Sequence, residues 1–176
     1  MRHVFYLLLS LALLSALILA QDSASKKKEA SSAPDSKTLD HPAFRLINPD
    51  TLAKPLGGYS QLAEVTGGKT VYIAGQVALD RSGNLVGKDD FSAQVTQVFE
   101  NLKAAVQAAG GDFHSIIKLN IYCAEGVDPL QTAVFRDVRD HYVDTVHPPT
   151  STFVVVKRLV RPELLLEVDA VAVVPK

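Results

Sequence analysis

Two carboxylates stand two residues apart in an apolar stretch near the C-terminus. In residues 164–174, LLLEVDAVAVV, Glu167 and Asp169 alternate with apolar residues, and a strand would project both onto one face. The other face is entirely apolar, so we expect a largely buried strand, in which an ionised carboxylate is costly unless paired or hydrogen-bonded. A salt bridge to a neighbouring strand or subunit is one interpretation. A carboxylate that lines a pocket and positions water is the other, and the alternation favours neither.

Two glycine-containing segments are further candidates for ligand contact. Two glycines precede Tyr59 at residues 57–59, which lets the backbone approach a ligand and present the tyrosine hydroxyl. A plain turn with a packed tyrosine explains that local sequence equally well. The second segment, Ala74, Gly75 and Gln76, places a glycine inside an apolar run, which usually marks a bulge or a close approach.

Other chemistries find little support in the sequence. The five histidines lack the HxH, HxxxH or HExxH spacing of metal sites, so no metal is expected. The single cysteine, Cys123, excludes an internal disulfide and is predicted to be buried and inert rather than nucleophilic. Nucleotide-binding glycine motifs and GxSxG are absent. The 18 basic and 19 acidic residues give a net charge of −1, so no nucleic-acid partner is expected.

Two helices are predicted to support these candidates. Phe91, Val95, Val98, Phe99, Leu102 and Val106 would share one face of a helix over residues 90–109. Asp89 or Asp90 would cap its start, and the glycines at 110–111 would end it. A second helix would open at Asp128, with an apolar stripe of Leu130, Val134, Val138 and Tyr142.

Strands are predicted before, between and after the helices, at residues 44–47, 60–65, 70–79, 116–123, 152–156 and 164–174. The TGGK sequence at 66–69 is typical of a hairpin joining the second and third strands. This order predicts an α+β layer, with both helices packed on one face of a mixed sheet.

The N-terminal 41 residues are predicted to lie outside this domain. Residues 1–20 combine a positive start with an apolar run from 4 to 20, as in a secretory signal peptide or an uncleaved signal anchor. Both interpretations predict an exported protein, periplasmic or secreted, with membrane attachment only through residues 4–20. Residues 21–41 are polar and predict a flexible linker, so the domain would span residues 42–176.

Six segments of this domain, in one register, resemble the Rid family (YjgF-like reactive intermediate deaminases, also called L-PSP). They are residues 58–61 (GYSQ), 71–76 (VYIAGQ), 97–102 (QVFENL), 108–111 (AAGG), 148–151 (PPTS) and 166–172 (LEVDAVA). The resemblance implies a chorismate-mutase-like α+β fold and a homotrimer with small-molecule clefts between subunits. Founding members hydrolyse enamines and imines, such as 2-aminoacrylate, to 2-keto acids and ammonia without a cofactor. By position, Tyr59 would line the cleft, Glu167 would hold the attacking water, and backbone near Gly75 would shape the pocket.

One position departs from the deaminating members of that family. Their arginine that grips the substrate carboxylate corresponds to Ser151 here, and Ala74 replaces a pocket hydroxyl. A serine hydroxyl offers one weak donor and no charge in place of a bidentate guanidinium. Lys157 and Arg158 are the nearest cations in sequence. A cation reaching Ser151 from another element would indicate a carboxylate ligand, whereas an apolar lining would indicate a neutral one.

Two functions therefore remain open from the sequence. The first is hydrolysis of a reactive imine, enamine or related C–N substrate by water held at Glu167. The second is a non-enzymatic trimer that binds a small ligand or holds a protein, in which Glu167 is structural. The ribonuclease activity also reported for the family finds little support, since the domain has neither a basic stripe nor an aromatic platform.

Overall fold

The computed structural model describes residues 39–41 and 43–176. In chain order the strands are β1 (Leu39–His41), β2 (Phe44–Ile47), β3 (Leu62–Val65), β4 (Lys69–Val77), β5 (Ile116–Ala124), β6 (Thr150–Val156) and β7 (Leu166–Val174). The helices are α1 (Phe91–Ala108) and α2 (Gln131–Arg139), and a short 3-10 helix covers Phe113–Ser115.

The predictions for the N-terminal region fall almost entirely outside these residues. The signal peptide or anchor at 1–20 and the linker up to residue 38 are not described. The last three residues of the expected linker form β1, which pairs antiparallel with β2, so the sheet begins before the expected boundary at 42. Within the described part of the chain, no helix has both the length and the apolar character needed to cross a membrane.

The strands form two sheets, of which the larger has the order β4-β7-β5-β6 and the smaller β1-β2-β3. In the larger sheet β5 and β6 are parallel and the other pairs antiparallel, which confirms the α+β layer with a mixed sheet. The predicted hairpin between β3 and β4 is wrong, because β3 pairs with β2 and β4 with β7. The N–H groups of Thr66 and Gly67 both donate to the Ala43 carbonyl (2.8 and 3.1 Å), which fastens this turn to the start of β2.

The core lies between α1 and the central strand β7. All six residues of the predicted α1 stripe are buried, as are the even-numbered residues of β7 from 166 to 174. The Asp90 side chain caps α1 by accepting from the Ala93 N–H (3.0 Å). Gly110 adopts a φ of 90° just after the helix, a conformation that glycine allows at low cost. The helix and strand periodicities predicted for this core are therefore confirmed.

Helix α2 departs from its prediction at its start and in its buried face. Its first helical residue is Gln131, and the Asp128 side chain accepts from the Leu130 N–H (2.8 Å) in the turn before it. Leu130 is 80% exposed, whereas Phe135 is buried. The predicted stripe is thus wrong at Leu130, because that residue precedes the helix and faces solvent.

One buried polar side chain fixes the approach to β7. Gln94 on α1 is fully buried, and its amide nitrogen donates to the carbonyls of Gly87 (3.1 Å) and Glu163 (2.9 Å). Its amide oxygen accepts from the Leu165 N–H (2.9 Å). These three bonds tie the segment that leads into β7 to the helix, and so help to position the carboxylates of that strand.

We expect Gln94→Leu to lower the free energy of unfolding by about 1–3 kcal/mol, because it leaves three partly buried backbone groups without their side-chain partner. Urea denaturation at fixed protein concentration measures this. Gln107→Leu on the exposed side of the same helix is the matched control, with an expected change within about 0.5 kcal/mol. Equal effects of the two substitutions would contradict this account of Gln94.

Candidate active site

Tyr59 and Ser151 lie in the same cavity. The Ser60 N–H donates to the Pro149 carbonyl (3.2 Å), and Ser60 forms a parallel bridge with Thr150. These contacts hold Tyr59, which precedes Ser60, beside the start of β6. The cavity between them has a volume of about 280 Å³, near the lower end for small-molecule sites. The structure thus brings together two residues that are far apart in sequence.

One face of α2 forms the opposite wall of this cavity. Thr132, Phe135, Arg136 and Arg139 line it, with the i, i+3, i+4, i+7 spacing of a single helix face. Phe135 packs edge-on against Phe153 of β6, with ring centroids 5.4 Å apart. Among the residues that line the cavity there is no aspartate or glutamate. The cavity therefore combines two guanidinium groups with an aromatic wall.

Arg139 fastens the glycine segment to α2. Its Nη1 donates to the Gly58 carbonyl (3.1 Å), its Nη2 lies 2.6 Å from the Asp140 carboxylate, and its side chain is only 11% exposed. A Cβ at position 58 would lie 2.5 Å from Nη2, so a larger residue there would displace the Arg139 guanidinium. Arg139 is thus already paired, and its contacts position the backbone next to Tyr59.

Arg136 is exposed, and its side chain has neither a hydrogen bond nor an ion pair among the described residues. The cations expected from sequence are placed elsewhere: Lys157 pairs with Glu125 at the surface, and Arg158 lines a different cavity. The cation beside Ser151 comes from α2 because folding brings that helix against the start of β6. The i+4 spacing from Thr132 to Arg136 places them on one face of α2, but nothing in the sequence shows that this face meets Ser151.

Glu167 lies on the other face of the sheet from Ser151. Leu119 of β5 pairs with Ser151 on one side and with Ala170 on the other, so these three side chains share the face that the helices cover. Glu167 is three residues from Ala170 and therefore has the opposite orientation. It lines a separate, open cavity with Asp169 and Tyr122. One chain by itself does not bring Glu167 to Tyr59 and Ser151.

The carboxylate of Asp169 is satisfied by neutral donors. Its oxygens accept from the Asn120 amide (2.8 Å) and the Tyr122 hydroxyl (3.1 Å). The hydrogen bond to Asp169, and then the charge of that carboxylate, raise the pKa of the Tyr122 phenol. These two hydrogen bonds offset the desolvation of a carboxylate in the central strand, so that no salt bridge is needed.

The carboxylate of Glu167, unlike that of Asp169, is not held by hydrogen bonds from the described residues. Within the described part of the chain its carboxylate has no hydrogen-bond or ion-pair partner, and it lies over Gly75. A Cβ on Gly75 would overlap a carboxylate oxygen and lie 2.8 Å from Cδ of Glu167. The strand pairing is irregular between Ile73 and Gln76, as expected for a bulge. Gly75 thus makes room for the Glu167 side chain.

The two neighbours of Gly75 make no contact with the Tyr59 cavity. Ala74 is exposed, and its carbonyl accepts from the Gln76 side-chain amide (2.9 Å). Both residues lie on β4, at the edge of the larger sheet. The structure therefore groups the predicted site residues into two half-sites: one contains Tyr59 and Ser151, and the other contains the segment 74–76 and Glu167.

Cys123 is buried, as predicted, and its burial raises the pKa of the thiol. The reactive thiolate is disfavoured in such surroundings. Within the described residues, no group of three or more His, Cys, Asp or Glu side chains is arranged to hold a metal ion.

We expect the Tyr122 phenol to titrate above the usual range for tyrosine, and Asp169→Asn to lower its pKa, because the substitution removes the charge that opposes phenolate formation. Difference absorbance titration against Tyr122→Phe isolates this group. The same midpoint in wild type and Asp169→Asn would contradict the contact.

We expect Gly75→Ala and Glu167→Ala to be energetically coupled. The added methyl should destabilise the wild-type protein, because the Glu167 side chain must move, and should cost less in the Glu167→Ala background. A double-mutant cycle by urea denaturation should give a coupling above about 0.5 kcal/mol. Additive effects would show that Gly75 does not make room for Glu167.

Comparisons with known proteins agree with this architecture. Residues 51–174 match the family model described as "Endoribonuclease L-PSP". Protein DfrA of Myxococcus xanthus is 34% identical over 131 residues, which cover 74% of this chain and 96% of that protein. A "2-iminobutanoate/2-iminopropanoate deaminase" of Dermatophagoides farinae is 30% identical over 108 residues, covering 61% of this chain and 80% of the relative.

A solved structure shows the same fold. The Rid-family protein YyfB of Yersinia pestis, described as of unknown function, superimposes with a TM-score of 0.67 at 33% identity, covering 75% of this chain and 99% of that one. The family match spans nearly the whole described domain, including both candidate half-sites. The chain therefore belongs to the Rid family, whose family model carries the name endoribonuclease L-PSP.

Proposed function

We propose that this protein hydrolyses a reactive imine or enamine, or a related small C–N substrate, to a carbonyl compound and ammonia without a cofactor. The observation that carries the proposal is the uncommitted Glu167 carboxylate, held over Gly75 in an open cavity. The deaminase named among the relatives supports the same chemistry.

In this proposal Glu167 holds and polarises the attacking water. The carboxylate takes a proton from the water as the water oxygen bonds to the imine carbon, and that proton passes to the imine nitrogen as the C=N double bond becomes single. The carbinolamine hydroxyl then gives its proton to the amine nitrogen through Glu167, the C–N bond breaks, and ammonia leaves with the carbonyl group restored. An enamine enters the same sequence after tautomerising to the imine. Such a general base is worth about 100-fold or more in rate.

We propose a homotrimer with clefts between subunits, as the family resemblance implies, and the separation of the two half-sites on one chain supports a site shared between copies. The sheet face that bears Glu167 is not covered by the helices, and it exposes Tyr72 (82%) and Val154 (40%). Burial of these side chains against a second copy would bring Glu167 of one subunit to the Tyr59 cavity of another. Light scattering of the purified chain should give a trimer, and a monomer would contradict the proposed clefts.

The alternative is a trimer that binds a ligand or a protein without chemistry. It is favoured by Ser151, which lacks the guanidinium of the deaminating relatives. Export remains a separate proposal that depends only on residues 1–20, which lie outside the described residues.

Ammonia release tests the proposed reaction. The purified full-length chain is given imines generated in situ by an amino-acid oxidase, and Glu167→Ala should reduce the rate at least about 100-fold with the oligomer intact. Glu125→Gln is the matched control, since Glu125 is an exposed carboxylate paired with Lys157, and should keep the wild-type rate. An unchanged rate in Glu167→Ala would remove Glu167 from the mechanism.

Ser151→Arg supplies the guanidinium of the deaminating relatives at its usual position. If only that group limits activity on 2-imino acids, the variant should release ammonia faster than wild type in the same assay. No gain would show that the pocket differs elsewhere as well.

A further inference from the structure

We propose that Arg136 of α2 supplies the anion-binding charge at the Tyr59–Ser151 cavity, and that the ligand is an anion, such as a carboxylate, joined to an apolar or aromatic group. This inference rests on the proposed function, because it identifies the class of substrate that this half-site would take. It assigns the charge to a helix, whereas the family resemblance places it on the strand, at the position of Ser151.

The charge balance of the cavity singles out Arg136. The other guanidinium in its wall belongs to Arg139, which already faces the Asp140 carboxylate and the Gly58 carbonyl. The side chain of Arg136 has no such partner among the described residues, and no carboxylate lines the cavity. The cavity therefore carries one uncompensated positive charge. A guanidinium can bind a carboxylate through two parallel hydrogen bonds.

Hydroxyl groups and a fixed helix complete the anion site. Thr132 lies one turn before Arg136 on the same face of α2, while Tyr59 and Ser151 line the opposite side. Arg139 ties this helix to the segment that ends at Tyr59. The backbone that carries Arg136 is thus held in place, so ligand binding has to order only the side chain.

The aromatic wall determines what the anion is attached to. Phe135 is buried and presents an edge to Phe153, which remains 37% exposed beside Ser151. Because the serine side chain is short, the space over Phe153 is not filled by a side chain from position 151. A cavity of about 280 Å³ has room there for a ring or a branched alkyl group. The inferred ligand therefore needs both the charge and the apolar group.

Three stable probes separate these two requirements. 3-Phenylpropanoate has the charge and the ring, 3-phenylpropanamide has the ring without the charge, and butanoate has the charge without the ring. Calorimetric titration of the full-length oligomer should show at least tenfold tighter binding of 3-phenylpropanoate than of either other probe. Equal binding of 3-phenylpropanoate and its amide, or of 3-phenylpropanoate and butanoate, would overturn the inference, as would no binding of 3-phenylpropanoate.

Arginine variants assign the charge to its residue. Arg136→Ala should weaken the binding of 3-phenylpropanoate at least tenfold and leave the binding of 3-phenylpropanamide unchanged. The affinity of Arg136→Lys for 3-phenylpropanoate should lie between those of Arg136→Ala and wild type. Arg81→Ala, which removes an exposed arginine from the turn after β4, is the matched control and should bind like wild type. An Arg136→Ala variant that binds 3-phenylpropanoate like wild type would overturn the assignment.

Glu167→Gln distinguishes failure of this inference from failure of the proposed function. It should bind 3-phenylpropanoate as wild type does, while losing ammonia release. A wild-type protein that shows the expected probe pattern but releases no ammonia would refute the hydrolysis and support the anion site. If the protein releases ammonia but Arg136→Ala does not change the binding of 3-phenylpropanoate, the anion site alone is refuted.

Discussion

The two-residue period of β7 is the constraint on which the rest of the structure depends. This strand lies between β4 and β5 in the larger sheet, and its even-numbered residues are buried against the helices. A shift by one residue would expose the whole apolar set and bury both carboxylates. The hydrophobic core thus fixes the direction in which Glu167 and Asp169 point, although neither belongs to the core.

The two carboxylates are accommodated in different ways, and the difference separates structure from chemistry. Asp169 has two hydrogen-bond donors, from Asn120 and Tyr122, and so resembles a satisfied structural group. Glu167 has a glycine beneath it and open space beside it. Because the Glu167 carboxylate has no partner among the described residues, it is available to a ligand or a water molecule. This contrast is why Glu167, and not Asp169, carries the proposed function.

The parts of the fold that depend on one dominant period could be predicted from the sequence. The α1 stripe and the alternation of β7 required no knowledge of neighbouring elements, because each packs against a continuous core. The pairing of β3 could not be predicted from the turn at 66–69, since the choice between β2 and β4 depends on contacts distant in sequence. The buried face of α2 could not be predicted for a similar reason. Leu130 and Phe135 are both apolar, and only the packing of the helix decides that Phe135 is the buried one.

The candidate site was predictable as a set of residues but not as an arrangement. The resemblance to the Rid family pointed to Tyr59, Ser151 and Glu167, whereas their separation onto two faces emerged only from the register of three strands. The sequence alone does not point to Arg136, because its place beside Ser151 depends on how α2 packs against β6. Folding brings helix α2 next to Ser151, where the hydrogen bond from Arg139 to the Gly58 carbonyl holds it.

The proposed function and the proposed anion site together place Glu167 of one subunit beside the Arg136 cavity of another. Subunit complementation tests this arrangement most directly: Glu167→Ala and Arg136→Ala chains are co-assembled into mixed oligomers, and ammonia release is compared with that of each variant alone. We expect both parent variants to have little activity and statistical mixing to restore about a quarter of the sites. Mixed oligomers that form but stay as inactive as their parents would contradict it.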